Sequence, residues 1–229
     1  MFQADEINAL LAKAGVHMKA MLLLGINCGF GPSDCGNLPI SAIDLKNGWV
    51  DFPRPKTGVQ RRCPLWPETA TALKESLAKR PQPREEADAN IVFLTKYHQR
   101  WTKDTSDSPI SKEFAKLIKQ VMVTRGTKPE PIQRKGVGFY ALRHTFQTIG
   151  DGARDPIATR AIMGHAEAGN DMSAVYREGV DDGRLKAVTD HVRQWLFGAE
   201  ATGDAKGAAT KKDTAAKKRA APKQDTEAK

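Results

Sequence analysis

Phe139-Tyr140-Ala141-Leu142-Arg143-His144-Thr145-Phe146 decides the reading of the fold. Phe139, Leu142 and Phe146 recur at helical spacing and share one face, which leaves Arg143 and Tyr140 on another. Downstream, the periodic run from Pro156 to Ile162 leads into Met163-Gly164-His165. The glycine suits a helix that ends in a left-handed turn, which sets His165 on an exposed turn. Asp171 to Tyr176 is a short polar-to-apolar segment that puts Tyr176 near the end of a small helix or mobile loop. Singly, these features are ordinary. An Arg-His pair on a helix is most often a solvated face, and a tyrosine beside a phenylalanine usually packs.

In order and spacing together, they resemble the catalytic domain of the tyrosine recombinases, the phage-integrase family. That family's second motif joins a His-x-x-Arg element to a Gly-His element and a later tyrosine. The resemblance runs from about Asp5 to Phe197. It implies an α+β, mainly helical fold with a small antiparallel sheet. It also implies duplex DNA as the partner and strand exchange through a 3′-phosphotyrosyl bond, with no metal or other cofactor. Tyr176 would be the nucleophile and Arg143 would hold the phosphate. His165 would contact the phosphate or move a proton, and Lys56 would protonate the leaving 5′ oxygen. Lys56-Thr57-Gly58 matches the turn that delivers the family's catalytic lysine; by itself it reads as a solvated turn.

The residue types suit the chemistry. Charge gathers on the non-bridging phosphate oxygens in the transition state, and a guanidinium donates two parallel hydrogen bonds without losing its proton. Tyr140 stands where the family most often has histidine. Its hydroxyl could donate to phosphate, but a phenol with a pKa of about 10 is no base near neutrality. Lys56, Arg61, Arg143, His144 and His165 are the expected DNA contacts.

One departure is large. Cys28-Gly29-Phe30-Gly31-Pro32-Ser33-Asp34 occupies the place of the family's Thr-Gly-Leu-Arg-x-x-Glu, and Leu38 matches the leucine four residues on. Gly29 and Asp34 fit, but the arginine falls at Gly31, which has no side chain. Losing one charge-stabilising donor costs on the order of 10² to 10³ in rate. Arg54, Arg61, Arg62 and Arg125 are the candidates to reach in from nearby loops.

Composition points the same way. The chain has 229 residues, 40% of them hydrophobic, and a formal charge of +9. That length suits one domain of ordinary core size with an appendage. The surplus of Lys and Arg suits a polyanion, nucleic acid first, because phosphate neutralisation releases counterions. Cys28, Cys35 and Cys63 are odd in number and form no Cys-x-x-Cys pair, which argues against a disulfide framework or zinc site. No apolar run reaches the roughly 20 residues of a membrane span, and Asp5 and Glu6 stand where a secretory signal is basic. A cytoplasmic, nucleoid-associated protein is expected.

Along the chain, helices are expected over Ala4–Ala14 and, fully buried, over Met18–Ile26. Gly48–Phe52 and Arg61–Leu65 read as strands flanking a Pro/Gly-rich turn, and Pro67–Lys79 as an outer helix. A short strand over Ile91–Leu94, an amphipathic helix over Ser111–Val123 and a long loop over Thr124–Gly138 follow. Val180–Phe197 reads as a terminal helix. The resemblance implies docking of this segment on a neighbouring subunit, giving a homo-oligomer, a tetramer on DNA. Residues 1–198 form the expected domain. Residues 199–229 are Ala- and Lys-rich with no aromatic residue, which predicts a disordered basic tail. The family's N-terminal DNA-clamping domain is expected to be absent. Two other functions stay open: a non-catalytic DNA-binding protein derived from a recombinase, favoured by Gly31, and, ranked last, a type IB topoisomerase-like enzyme.

Overall fold

Val16–Cys28 is buried at every residue from Ala20 to Cys28, so its apolar run forms a central helix that the rest of the chain covers. The computed structural model describes residues 1–102, 108–165 and 179–198. In chain order the helices are α1 (Ala4–Lys13), α2 (Val16–Cys28), α3 (Pro32–Gly36), α4 (Pro67–Ala78), α5 (Pro109–Ile118), α6 (Ala141–Gly150), α7 (Pro156–Met163) and α8 (Asp182–Phe197). Helices α1, α4, α6 and α8 pack around α2. The approach of α6 is close: a Cβ on Gly25 would stand 2.9 Å from Cδ1 of Leu142. Leu142 and Phe146 are fully buried, so the apolar face read from the sequence is the one that docks α6.

A three-stranded antiparallel sheet lies at one side, formed by β1 (Ile43–Asp44), β2 (Trp49–Asp51) and β3 (Arg62–Pro64). Val50 pairs with Ile43 on one side and Cys63 on the other. The expected hairpin is therefore present, with β1 added to it. Its Pro/Gly-rich connection is closed by Arg54, whose N–H donates to the Val59 carbonyl at 2.9 Å.

Three expectations change. Ser111–Val123 is not one helix: α5 begins at Pro109 behind the Ser108 cap and ends at Ile118. Met122–Arg125 (β4) then pairs with Lys128–Pro131 (β5), so the stretch expected as a long loop holds a hairpin turning at Gly126. Among the described residues strand β5 has a single neighbour, and its open side accommodates Pro129 and Pro131, which lack N–H groups. Ile91–Leu94, expected as a short strand, is buried, but among the described residues it forms only isolated bridges, Pro39 to Ile91 and Leu94 to Arg100. No continuous strand lies beside it.

The N-terminus is tied down. Phe2 is fully buried with its ring 6.1 Å from Phe114, which lies 5.7 Å from Phe139. Its N–H donates to Thr145 Oγ1 at 2.9 Å. At the other end Leu185, Val188, Val192 and Leu196 bury the inner face of α8, as the periodicity predicts. All three cysteines are free and buried. No helix among the described residues is long and apolar enough to cross a membrane.

Candidate active site

Arg143 follows Leu142 on α6 and is drawn inside with it, only 2% exposed. Its Nη1 donates to the Gly29 carbonyl at 2.7 Å and its Nη2 to the Met163 carbonyl at 2.6 Å. Gly29 caps the C-terminus of α2 and Met163 closes α7; both helices leave through a left-handed glycine, Gly29 at φ 63° and Gly164 at φ 59°. Carbonyls at helix C-termini carry partial negative charge, so one guanidinium holds two of them together. Burial lowers the Arg143 pKa to about 10, Arg54 and Arg61 add to the lowering, and Tyr140 and Asp34 oppose it. The group remains a cation at neutral pH.

Gly164 is the floor on which the hairpin turn rests. A Cβ there would stand 3.0 Å from Arg54 Cβ and 3.2 Å from Arg61 Cδ. The Gly164 carbonyl accepts from Thr57 Oγ1 at 3.4 Å and from Arg54 Nη1 at 3.5 Å. Lys56, between them in sequence, is exposed at the tip of the turn. His165 is half-buried, and its N–H donates to the Arg160 carbonyl at 3.1 Å. Burial, then the charges of Arg143, Arg54 and Arg160, hold its pKa below the ordinary histidine value.

On the other side of Arg143, Gly31 begins α3 and its N–H donates to Asp34 Oδ2 at 2.6 Å. The half-exposed Tyr140 ring covers Gly31 and meets the exposed His144 edge-on at 5.2 Å.

Arg61 requires a correction. Expected on the DNA surface, its side chain is 1% exposed: Nη2 donates to Asp34 Oδ1 at 2.7 Å and Nε to the Phe52 carbonyl at 2.8 Å. Its guanidinium also stacks 4.1 Å from the Phe30 ring centroid. The cause is Asp34, whose carboxylate would be left buried and unpaired if Arg61 turned outward. Arg62 bridges Asp51 and Asp182, and Arg125 pairs with the buried Glu6.

Arg143, His165 and the turn bearing Lys56 are thus brought to one locus, with Tyr140 and His144 along its edge. Tyr176 and the 199–229 tail lie outside the described residues. The sequence reading named Arg54 as one of four arginines that could reach in, but not among the site residues; the signal that singles it out is proximity, two residues before Lys56 in the same turn. Among the described residues, no group of three or more His, Cys, Asp or Glu side chains is arranged to hold a metal ion. What the locus can do is bind an anion: among the described residues its cations face the carboxylate of Asp34, which Arg61 occupies.

The model of the phage integrase family matches residues 1–191. Among solved structures, a XerA recombinase shares the fold with a TM-score of 0.57 and 23% identity, over 84% of this chain and 64% of that one. The Tn1549 transposon integrase in complex with circular intermediate DNA gives 0.60 and 19%, over 84% and 66%. A XerH site-specific recombinase bound to a palindromic difH substrate gives 0.52 and 15%, over 89% and 53%. The chain spans less than two thirds of the length of each of these three. No curated protein matches.

Proposed function

This chain belongs to the phage integrase family, and from that premise we propose that it is a site-specific recombinase that cuts and rejoins duplex DNA through Tyr176. The observation that carries the reading is the meeting of Arg143, His165 and the Lys56 turn around Gly164. In the proposed step the Tyr176 oxygen forms a bond to phosphorus as the bond from phosphorus to the 5′ oxygen breaks. The phenolic proton leaves to a base, and Lys56 supplies a proton to the 5′ oxygen. Arg143 and His165 would stabilise charge on the non-bridging oxygens. Tyr140 and His144 would lie along the DNA at the rim, and assembly into a homo-oligomer would use the C-terminal segment.

A second reading, a non-catalytic DNA-binding protein, is favoured by Gly31, which offers no donor to the phosphate. Covalent capture separates the two. Nicked suicide duplexes from DNA flanking the gene are incubated with the protein, denatured and examined for protein-linked strands beside a Tyr176→Phe control. A tyrosine-dependent adduct is expected. Retained duplex binding without an adduct would move the conclusion to the second reading.

A further inference from the structure

Four arginines were candidates to supply the guanidinium that residue 31 lacks, and three are committed elsewhere. Arg61 is held by Asp34 in the interior at 2.7 Å. Arg62 is shared between Asp51 at 2.8 Å and Asp182 at 3.1 Å and lies 4.1 Å over the Trp49 ring. Arg125 meets Glu6 at 2.6 Å.

Arg54 differs from all of them. Among the described residues it has no carboxylate within ion-pair distance. Its side-chain hydrogen bond there is the 3.5 Å contact from Nη1 to the Gly164 carbonyl, too long to hold it firmly. The neighbouring Met163 carbonyl receives Arg143 at 2.6 Å. The two guanidinium groups thus bond to the carbonyls of adjacent residues, near enough for the charge of Arg54 to act on Arg143, with His165 next in sequence.

Like charges in that arrangement repel unless an anion lies between them. The lowered pKa values of Arg143, where burial is the largest cause and Arg54 the next, and of His165, where burial and then Arg143 precede Arg54, carry the same repulsion. A phosphodiester has two non-bridging oxygens, which two guanidinium forks satisfy. We propose that Arg54 binds the scissile phosphodiester, supplying the second guanidinium of the site from the hairpin turn instead of from residue 31. The same turn carries Lys56, so docking of the turn on Gly164 would deliver a phosphate ligand and the proton donor together. This inference rests on the reading of the locus as a phosphodiester site.

The test uses the full chain with Arg54→Gln and Arg54→Lys, each checked for an unchanged melting temperature. Duplex affinity is measured against salt concentration, and capture on the nicked duplex is timed. Arg54→Gln is expected to make the slope of log K against log salt shallower by about 0.9, the share of one phosphate contact. It is also expected to slow capture on the order of 10² to 10³-fold. Arg54→Lys is expected to restore the slope but not the rate, because an ammonium replaces the charge and not the fork. An unchanged slope and rate in Arg54→Gln would overturn the proposal, and so would a lowered melting temperature with an unchanged slope, the mark of a structural role. If the unaltered protein captures no DNA, strand cleavage fails as its function; the slope still decides whether Arg54 contacts phosphate.

Discussion

The Tyr140 ring fills the space that a side chain on residue 31 would enter. A Cβ on Gly31 would stand 3.2 Å from both Cδ2 and Cε2 of Tyr140. Gly31 lies at φ −92° and ψ 179°, extended backbone open to any residue, so the ring, and not strain, is what a larger side chain would have to displace. Gly31 and Tyr140, the two positions expected to depart from the recombinase motif, therefore pack against each other.

An arginine placed at residue 31 alone should be accommodated poorly. Gly31→Arg is expected to push the Tyr140 ring outward, at a cost of about 1 kcal/mol, modest because the ring is 45% exposed. Combining it with Tyr140→His should return part of that cost, with a coupling of at least about 0.5 kcal/mol. Urea denaturation of both single variants and the double variant measures it; additive costs would show that the two positions are independent.

Arg143 fastens two helix ends as well as facing the proposed phosphate. Arg143→Ala removes the bonds to Gly29 and Met163 and leaves both carbonyls buried. A loss on the order of 3 kcal/mol is expected, read by thermal or chemical denaturation without DNA. A variant of normal stability would show that water replaces the guanidinium at no cost.

Glu6 gives a pH dependence of stability. The residue is 1% exposed and receives Arg134 at 2.7 Å and Arg125 at 2.6 Å. Burial raises its pKa, but hydrogen bonds from Arg134, the Gln3 N–H and Arg125 outweigh it, so the net shift is downward. A carboxylate with a depressed folded pKa contributes fully above its unfolded value and loses that contribution as pH falls through the folded one. Glu6→Gln is expected to flatten the stability profile in that acidic window and to cost about 2 kcal/mol at pH 7, below a fully buried pair because both arginines are partly solvated. Parallel profiles for the two proteins would remove Glu6 from the account.

On the proposed reading, His165 is expected to couple proton uptake to duplex binding. In the free protein its pKa lies below the ordinary value, so the unfolded chain protonates first and the fold loses this contribution as pH drops from about 6.5 toward the folded value. A bound phosphate would counter the surrounding cations and raise that pKa, so binding should take up protons in the same window. Duplex affinity is expected to rise as pH falls from 7 toward 5 more steeply than in His165→Gln. Calorimetry in buffers of different ionisation enthalpy reads the uptake, and equal uptake by the variant would assign it elsewhere.

The sequence by itself determined the helices and the motif. The spacing of Phe139, Leu142 and Phe146 placed α6, the apolar run Met18–Ile26 marked α2 as buried, and Gly164 ended α7, because side-chain periodicity and caps act within a few residues. It failed where a stretch was polar and short. The β4–β5 hairpin lacks an apolar alternation, and two prolines hid its second strand. Only the tertiary structure decided which arginines are free. Arg61 meets Asp34 across 27 residues, Arg125 meets Glu6 across 119 and Arg62 meets Asp182 across 120, while Arg54 is left beside Arg143. Charge pairing depends on distance in space and on burial, and neither is written in the local order of residues.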